Sequence, residues 1–489
     1  MTPLETTAPT PAQRSFRRLV TNTLSLLTND LINRAITFVL YAVIARYLGT
    51  YEFGQMSLTL TLFYLLQSLA PVGLKILLVR EVARDKERTL QYWSNGSLVA
   101  LLSSLLALLL LLLFLWVANY SADTVRIILL VSIGLVPYSL SAVCEAIFQA
   151  HEQIRYITIA NVPVSIGRGV LAFALLALGL ELYWVGVLFI LSYSITFVLE
   201  WLLLGRYLHR WWGPLDARFC WQISRSSLAF LGLQSVIALT GSILPVSLSW
   251  NGGVVQVGLL NAANQLMAPV LLFSQSTVMS LFPRMCQHFE SGADGLRRIS
   301  ERLIELLLTF TLPAVVGLYF YAWPALLLLY KKETFYASVP VLQIMVASLA
   351  LKAVTSVLGR VLLAAHRERA LLGIMVVETL ACVLAAFALI PGWGILGAAI
   401  ATLVLAVLDT VLHVLPVWHL LRGMRVGMML WKSVLASTVL AGWLWLIPGE
   451  INWLVGVFSG VCVYGAAWLA LSLAQAGGWK RLKEQYRVG

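Results

Sequence analysis

The chain has 489 residues, with 34 Lys and Arg against 22 Asp and Glu, a formal charge of +12. Only 11% of its residues are charged, 60% are apolar, and the mean hydropathy is +0.87. Soluble domains run nearer ~25% charged, so a soluble enzyme, a disordered chain and a disulfide-rich secreted module are excluded, and a polytopic all-α membrane protein remains.

Residues 1–18 read as a polar tail, and no signal peptide follows, because the first apolar run is too long and carries Asp30 and Arg34. From there the hydropathy predicts about fourteen transmembrane helices of roughly 20 apolar residues each. They fall near 19–48, 54–79, 93–117, 125–150, 156–180, 184–206, 227–250, 258–283, 303–329, 338–364, 371–390, 394–420, 431–447 and 452–475. Turn residues mark the ends, among them Gly49-Thr50, Asn119-Tyr120-Ser121, Asn251-Gly252-Gly253, Pro391-Gly392 and Pro448-Gly449.

The basic residues sit in short clusters at the ends of apolar runs, which is the placement that sets membrane orientation and not a nucleic-acid patch. With the N-terminus in the cytoplasm, 25 Lys and Arg fall on the cytoplasmic side, and only Arg126, Lys331 and Lys332 on the other. Both termini are then cytoplasmic, as expected of a multi-pass protein of a bacterial inner membrane. The predicted outer connections are short, leaving no domain to carry the acid and base groups of a sugar transferase or polymerase. No Walker loop, nucleophile elbow or zinc-protease motif is present. The five cysteines form no C-x-x-C pair, so neither a metal site, a cofactor nor a disulfide framework is indicated.

The longest hydrophilic connection is 207–226. It mixes Trp211, Trp212 and Trp221 with basic residues and reads as an interfacial helix linking two halves. Those halves are a six-helix bundle over 19–206 and another over 227–420, followed by two additional helices in 421–475 and a basic tail over 476–489. An internal echo supports the repeat: EAIFQAHEQIR at 145–155 aligns with RVLLAAHRERA at 360–370, pairing His151 with His366 and Glu145 with Arg360. Six helices per half make the repeats parallel, with substrate expected between them.

Several segments in order, ARYLGTYEFGQMSLTL (45–60), PVGLKILLVREVAR (71–84), GGVVQVGLLNAANQL (252–266), LFPRMCQ (281–287) and IPGWGILGAAIATLV (390–404), together resemble the oligosaccharide and polysaccharide flippases. These are the Wzx-type O-antigen flippases of the MATE-like MOP exporter superfamily, related to the lipid II flippase. The sequence departs from the family pattern at Ser247-Leu248-Ser249, where an Asp is frequent, and at Leu259, where a Tyr is common. The resemblance implies that the chain flips an oligosaccharide linked to a polyprenyl diphosphate of the undecaprenyl type, from the cytoplasmic to the outer leaflet, by alternating access. Other polysaccharide-assembly proteins are then expected partners.

Charges within the spans are costly and invite functional readings. On the first helix Asn29, Asp30, Asn33 and Arg34 share one face. Arg34 is a candidate phosphate contact, since a guanidinium donates two parallel hydrogen bonds; the other reading is an Asp30–Arg34 pair at i,i+4. Arg168 and Lys352 lie near mid-depth, one in each half, as candidate cations of a central cavity or as partners of buried acids. Asp409 and His413 lie one turn apart and are either a coupling relay, since His titrates near neutrality, or a structural bridge. Glu145 and Arg360 are candidate gate partners, with snorkelling as the other reading. Lys75 and Arg46, close to helix ends, read as snorkelling side chains. The rival functions are a cation-coupled multidrug exporter of MATE type, an integral-membrane sugar transferase or polymerase, and a structural partner in an assembly complex.

Overall fold

The computed structural model describes residues 32–71, 73–290, 292–421, 423, 426–447 and 453–476. Most of them are helical, with no strand among the described residues. Nine helices there are long and apolar enough to cross a membrane, or ten when the bent pair Glu333–Met345 and Ser348–Ala364 counts as one span. The protein is a multi-pass membrane protein. It divides into two compact units, residues 1–242 and 243–489.

The first unit holds α1 (residues 32–47), α2 (Thr50–Leu69), α3 (Leu74–Arg84), α4 (Thr89–Ala118), α5 (Ala122–Ile133), α6 (Leu135–Ala150), α7 (Arg155–Ala177), α8 (Leu182–Leu208) and the start of α9 (Ala217–Glu290). Pro71 and Gly73 separate α2 from α3. Gly73 has φ 70°, and a Cβ there would stand 2.6 Å from the Ser227 carbonyl oxygen and 2.8 Å from the Phe230 Cβ. Only glycine satisfies both that backbone and that crossing of α9. The core joins Leu74, Leu78, Trp93, Ile147, Phe148 and Leu204 of α3, α4, α6 and α8. By contrast Leu106, Leu109, Leu113 and Trp116 on α4 are exposed, as side chains facing lipid are.

The connection after α8 is only in part the helix expected over 207–226. Residues 210–216 are non-helical and α9 begins at Ala217. Gly213 and Pro214 disfavour helix here, and α4 satisfies the freed backbone: the Asn95 amide donates to the Pro214 carbonyl at 2.9 Å and accepts from the Asp216 N–H at 2.8 Å. Trp211, Trp212 and Trp221 remain exposed, as an interfacial segment requires.

The second unit contains the remainder of α9, then α10 (Ala293–Phe320), α11 (Ala322–Tyr330), α12 (Ser338–Met345), α13 (Ser348–Ala364), α14 (Glu368–Leu420), α15 (Val426–Leu446) and α16 (Trp453–Ala476). Two of these helices are each broken into two arms by a glycine at positive φ: α9 at Gly253 (φ 73°) and α14 at Gly394 (φ 53°). The first break lies in the expected turn. The second falls two residues beyond Pro391-Gly392. Proline is held at φ near −65°, so it cannot take the reversing conformation that Gly394 takes. The core of this unit joins Leu303, Leu307, Val357, Val361, Ile374 and Val417. A separate cluster of Ala436, Leu440, Leu444 and Tyr464 ties α15 to α16.

The two units repeat one helix-ending turn. After α6, the Gln153 N–H donates to the Phe148 carbonyl and the Glu152 N–H to that of Gln149; after α13, the Arg367 N–H donates to Leu362 and the His366 N–H to Leu363. Glu152 and His366 are both left-handed, at φ 59° and 55°, which completes a Schellman cap in each copy. This pairs Glu152, and not His151, with His366. The sequence alignment is therefore one residue out of register at this point. Counted from the turn, Glu145 matches Gly359, and Arg360 is one step nearer the end. One residue is about 100° around a helix, so the equivalence of Glu145 with Arg360 is corrected.

Candidate functional site

In the first unit the charged groups within the membrane gather on α3, α6, α7 and α8. Lys75 on α3 forms an ion pair with Glu145 on α6. The Asn161 amide on α7 donates to Glu145 Oε1 at 3.2 Å and to Glu200 Oε1 on α8 at 3.1 Å. Ser141, one turn before Glu145, donates to the other Glu200 oxygen, and Glu200 is fully buried. Thus Lys75 does not snorkel, as expected from its position near a helix end, but neutralises a carboxylate; Glu145 is held inside its own unit. Asn161 and Ser141 escaped the sequence reading. The available signal was depth: Glu145 and Asn161 lie at similar distances from the turn joining α6 and α7, so antiparallel neighbours bring them level.

Arg168, about two turns further along α7, has no carboxylate partner among the described residues. Its guanidinium lies 4.7 Å from the Phe189 ring centroid and 5.8 Å from that of Tyr193, both on α8. The expectation of an acidic partner is not met; the aromatic faces stabilise the charge by about 0.5–2 kcal/mol. On α1, Arg34 is exposed, and Asn33 beside it accepts from Ser165 of α7. The polar face of the first helix is therefore turned toward the helix that carries Arg168. Asp30 lies outside the described residues.

The second unit gathers a second charged set on α13 and α14. The break at Gly394 folds α14 into two arms, with Glu378 and Asp409 at nearly equal distances from it. His413 Nδ1 is 2.8 Å from Asp409 Oδ1, with the ring 6% exposed. Lys352 on α13 lies within electrostatic reach of Glu378 and Asp409. The sequence reading kept Lys352 and the Asp409–His413 pair as separate candidates; the fold joins them and adds Glu378. Arg360 stacks on Phe282, its guanidinium 5.5 Å from the ring centroid. Among the described residues no group of acids, histidines and cysteines could hold a metal ion.

The second unit also contains a long cavity of about 1250 Å³, between α10 on one side and α15 and α16 on the other. Its walls are apolar over most of their length, including Leu306, Phe310, Leu318, Leu444, Val457 and Val461. On α10 and the residue that caps it the lining runs from Arg302 to Tyr321, about 28 Å at 1.5 Å per residue. That is close to the ~30 Å hydrocarbon thickness of a bilayer. The charged lining residues lie at one end, where Lys432 Nζ pairs with Glu305 at 2.7 Å beside Arg302.

The profile of the family described as polysaccharide biosynthesis protein matches residues 19–289, and that of lipid II flippase MurJ matches residues 213–469. No curated protein matches the sequence. Among solved structures, a lipid II flippase MurJ in an inward closed conformation superposes with a TM-score of 0.76 at 14% identity, covering 92% of this chain and 98% of that one. A multidrug resistance MATE family transporter of the MOP superfamily, inward-facing, gives 0.58 at 16% identity, covering 80% and 96%. A MATE transporter of Vibrio cholerae gives 0.52 at 17%, covering 84% and 98%. At these identities the likeness is one of fold.

Proposed function

We propose that this chain, which belongs to the polysaccharide biosynthesis family of MOP-superfamily flippases, moves a polyprenyl-diphosphate-linked oligosaccharide from the cytoplasmic to the outer leaflet of a bacterial inner membrane. The observation that carries this reading is the apolar groove along α10, α15 and α16. A flippase for a lipid-linked sugar must pass a hydrophilic head while its tail stays in hydrocarbon. It therefore needs an apolar track open along the membrane depth as well as a polar site for the head. An exporter of free drug molecules has no need of such a track, and a transferase needs an acid and a base on a polar surface.

In this reading Arg34, Arg168 and Lys352 serve as contacts for the diphosphate. Arg168 suits the role because aromatic rings on α8 hold a guanidinium that has no carboxylate partner among the described residues. The Asp409–His413 pair, with Glu378 and Lys352 within electrostatic reach, is the coupling group, where a proton or cation exchanged with water would change the charge that all four feel. Both termini face the cytoplasm, and other polysaccharide-assembly proteins supply and consume the substrate.

The test is transport by the purified chain in proteoliposomes, with a fluorescent polyprenyl-diphosphate oligosaccharide and a lectin or quencher confined outside. The native chain should move the lipid. Arg168→Ala and Lys352→Ala should each slow it about tenfold or more, the cost of one charged hydrogen bond, and the Glu replacements should be slower still. Native rates in both Ala variants would remove the cationic contacts from the mechanism; no movement by the native chain of any lipid-linked sugar would remove the function.

A further inference from the structure

The connection between α8 and α9 has no role in the reading above, yet it is fastened to the first unit along its length. Ser94 Oγ on α4 accepts the Gly213 N–H at 2.6 Å, beside the two bonds that Asn95 makes to Pro214 and Asp216. A Cβ on Gly213 would stand 2.7 Å from the Leu90 carbonyl oxygen, and one on Gly205 would stand 2.4 Å from the Trp211 ring. The Trp212 ring lies 5.4 Å from that of Trp201, which lies 4.7 Å from the fully buried Trp93. A loose segment could fold its large apolar side chains inward. This one holds them out: Trp211 and Trp212 are about half exposed and Trp221 is 73% exposed. Indole rings fixed at the ends of apolar helices are the rings of a membrane–water interface.

The charge around these rings is one-sided. Residues 84–88 and 206–225 together hold seven Lys and Arg against three Asp and Glu. All seven cations are exposed, and none forms an ion pair with a described residue. Two of the three acids are engaged at helix starts, where Asp85 accepts from the Glu87 N–H at 3.1 Å and Asp216 from the Arg218 N–H at 2.8 Å. The two segments form one surface, because the Arg88 guanidinium lies 5.2 Å from the Phe219 ring centroid at the start of α9.

We propose that this surface binds the headgroup of an anionic phospholipid in the adjoining leaflet, such as phosphatidylglycerol, with the tryptophans at the level of the glycerol and Arg88, Arg210 and Arg218 among the contacts to the phosphate. The site stands apart from the flippase reading. Rings and cations together select this occupant. An anionic headgroup meets uncommitted guanidinium groups, which suit phosphate oxygens, while its glycerol and first methylenes meet the indoles. Phosphatidylcholine carries its own cation and gains little from the same surface. Each Lys or Arg near an anionic membrane surface strengthens binding by about fivefold. The repeat supplies an internal contrast: the turn joining α13 to α14 carries Arg367 and Arg369 beside Glu368 and no tryptophan. The general attraction of basic turns to a membrane acts at both places; the tryptophan-flanked surface exists at one.

The experiment uses the full chain in phosphatidylcholine nanodiscs containing a trace of photoreactive phosphatidylglycerol or of phosphatidylcholine with the same reactive group. Labelled peptides are quantified for residues 84–88 and 206–225, for the α13–α14 turn, and for the lipid-facing stretch of α4 from Leu102 to Trp116, which sets the reference. Phosphatidylglycerol should label the α8–α9 connection about tenfold or more over phosphatidylcholine, and the α4 stretch equally with both. Arg210→Gln and Arg218→Gln should each lower that ratio by up to about fivefold, and the two combined with Arg88→Gln should bring it within about twofold of the reference. At about 1 M salt, where the screening length falls to ~3 Å, the native ratio should fall as well. A ratio near that of the α4 stretch in the native chain would overturn the proposal, and so would a full ratio in the triple variant. An equal ratio at the α13–α14 turn would reduce the connection to an ordinary basic turn and overturn it too. Labelling requires no transport, so failure here leaves the flippase reading intact, and a chain that discriminates between the lipids without moving a lipid-linked sugar would lose the flippase reading alone.

Discussion

Replacing Asn161 with Leu tests whether one amide joins the two carboxylates of the first unit. The substitution keeps the volume and removes donors at 3.2 and 3.1 Å to Glu145 and Glu200. In water-soluble proteins a hydrogen bond to a charged group contributes about 1.5–3 kcal/mol, but double-mutant cycles within a membrane protein average about 0.6 and reach about 1.7. The distances are at the long end of good geometry, and both acceptors keep another partner, Lys75 for Glu145 and Ser141 for Glu200. The membrane figure is therefore the better guide, and the two bonds together should contribute about 1–3 kcal/mol. The assay is reversible unfolding in detergent, run as two cycles that cross Asn161→Leu with Glu145→Gln and with Glu200→Gln. Each cycle should show a coupling of about 0.6 kcal/mol or more. Couplings below the ~0.3–0.5 kcal/mol scatter of independent sites in both cycles would refute the bridge, whatever Asn161→Leu does alone.

Charge reversal separates two roles for Glu145. Glu145→Arg should impair transport, and Lys75→Glu in the same chain should restore more activity than Arg360→Glu does, since the ion pair in the structure is with Lys75; the opposite ranking, by proteoliposome transport, would return Glu145 to a gate with Arg360. Topology follows from accessibility in a chain whose five cysteines have been replaced. Glu333→Cys should react with an impermeant thiol reagent added to intact cells and Arg298→Cys should not, and the reverse result would invert the orientation.

That the chain is built of apolar helices was legible because the cause is local. A run of apolar residues bounded by turn residues is enough to require a membrane helix. Gly253 marks a break for a reason visible in the sequence, and Gly394 was missed by two residues only because Pro391 draws attention to the wrong end of the turn. Depth was legible too, for the same reason: it is counted from the nearest turn. What the sequence does not carry is direction around the helix relative to a neighbour, and the site depends on that direction. Lys75 near a helix end has the same pattern whether it reaches water or Glu145. The repeat shows the difficulty in its sharpest form. Matching His151 to His366 is the better alignment of letters, yet the two caps match Glu152 to His366, because a cap is fixed by backbone conformation and His and Glu both tolerate the left-handed position. A one-residue slip is invisible to composition but turns a side chain by about 100°, enough to take Arg360 off the face that its repeat partner occupies. The groove was unreadable for a related reason. Its residues on α10, α15 and α16 are those of any lipid-facing helix, and only the spacing of three helix axes turns them into the wall of a cavity. The charged end of the groove follows from the same packing, since Lys432 meets Glu305 while Arg302, one turn before that carboxylate, has no described carboxylate within ion-pair distance.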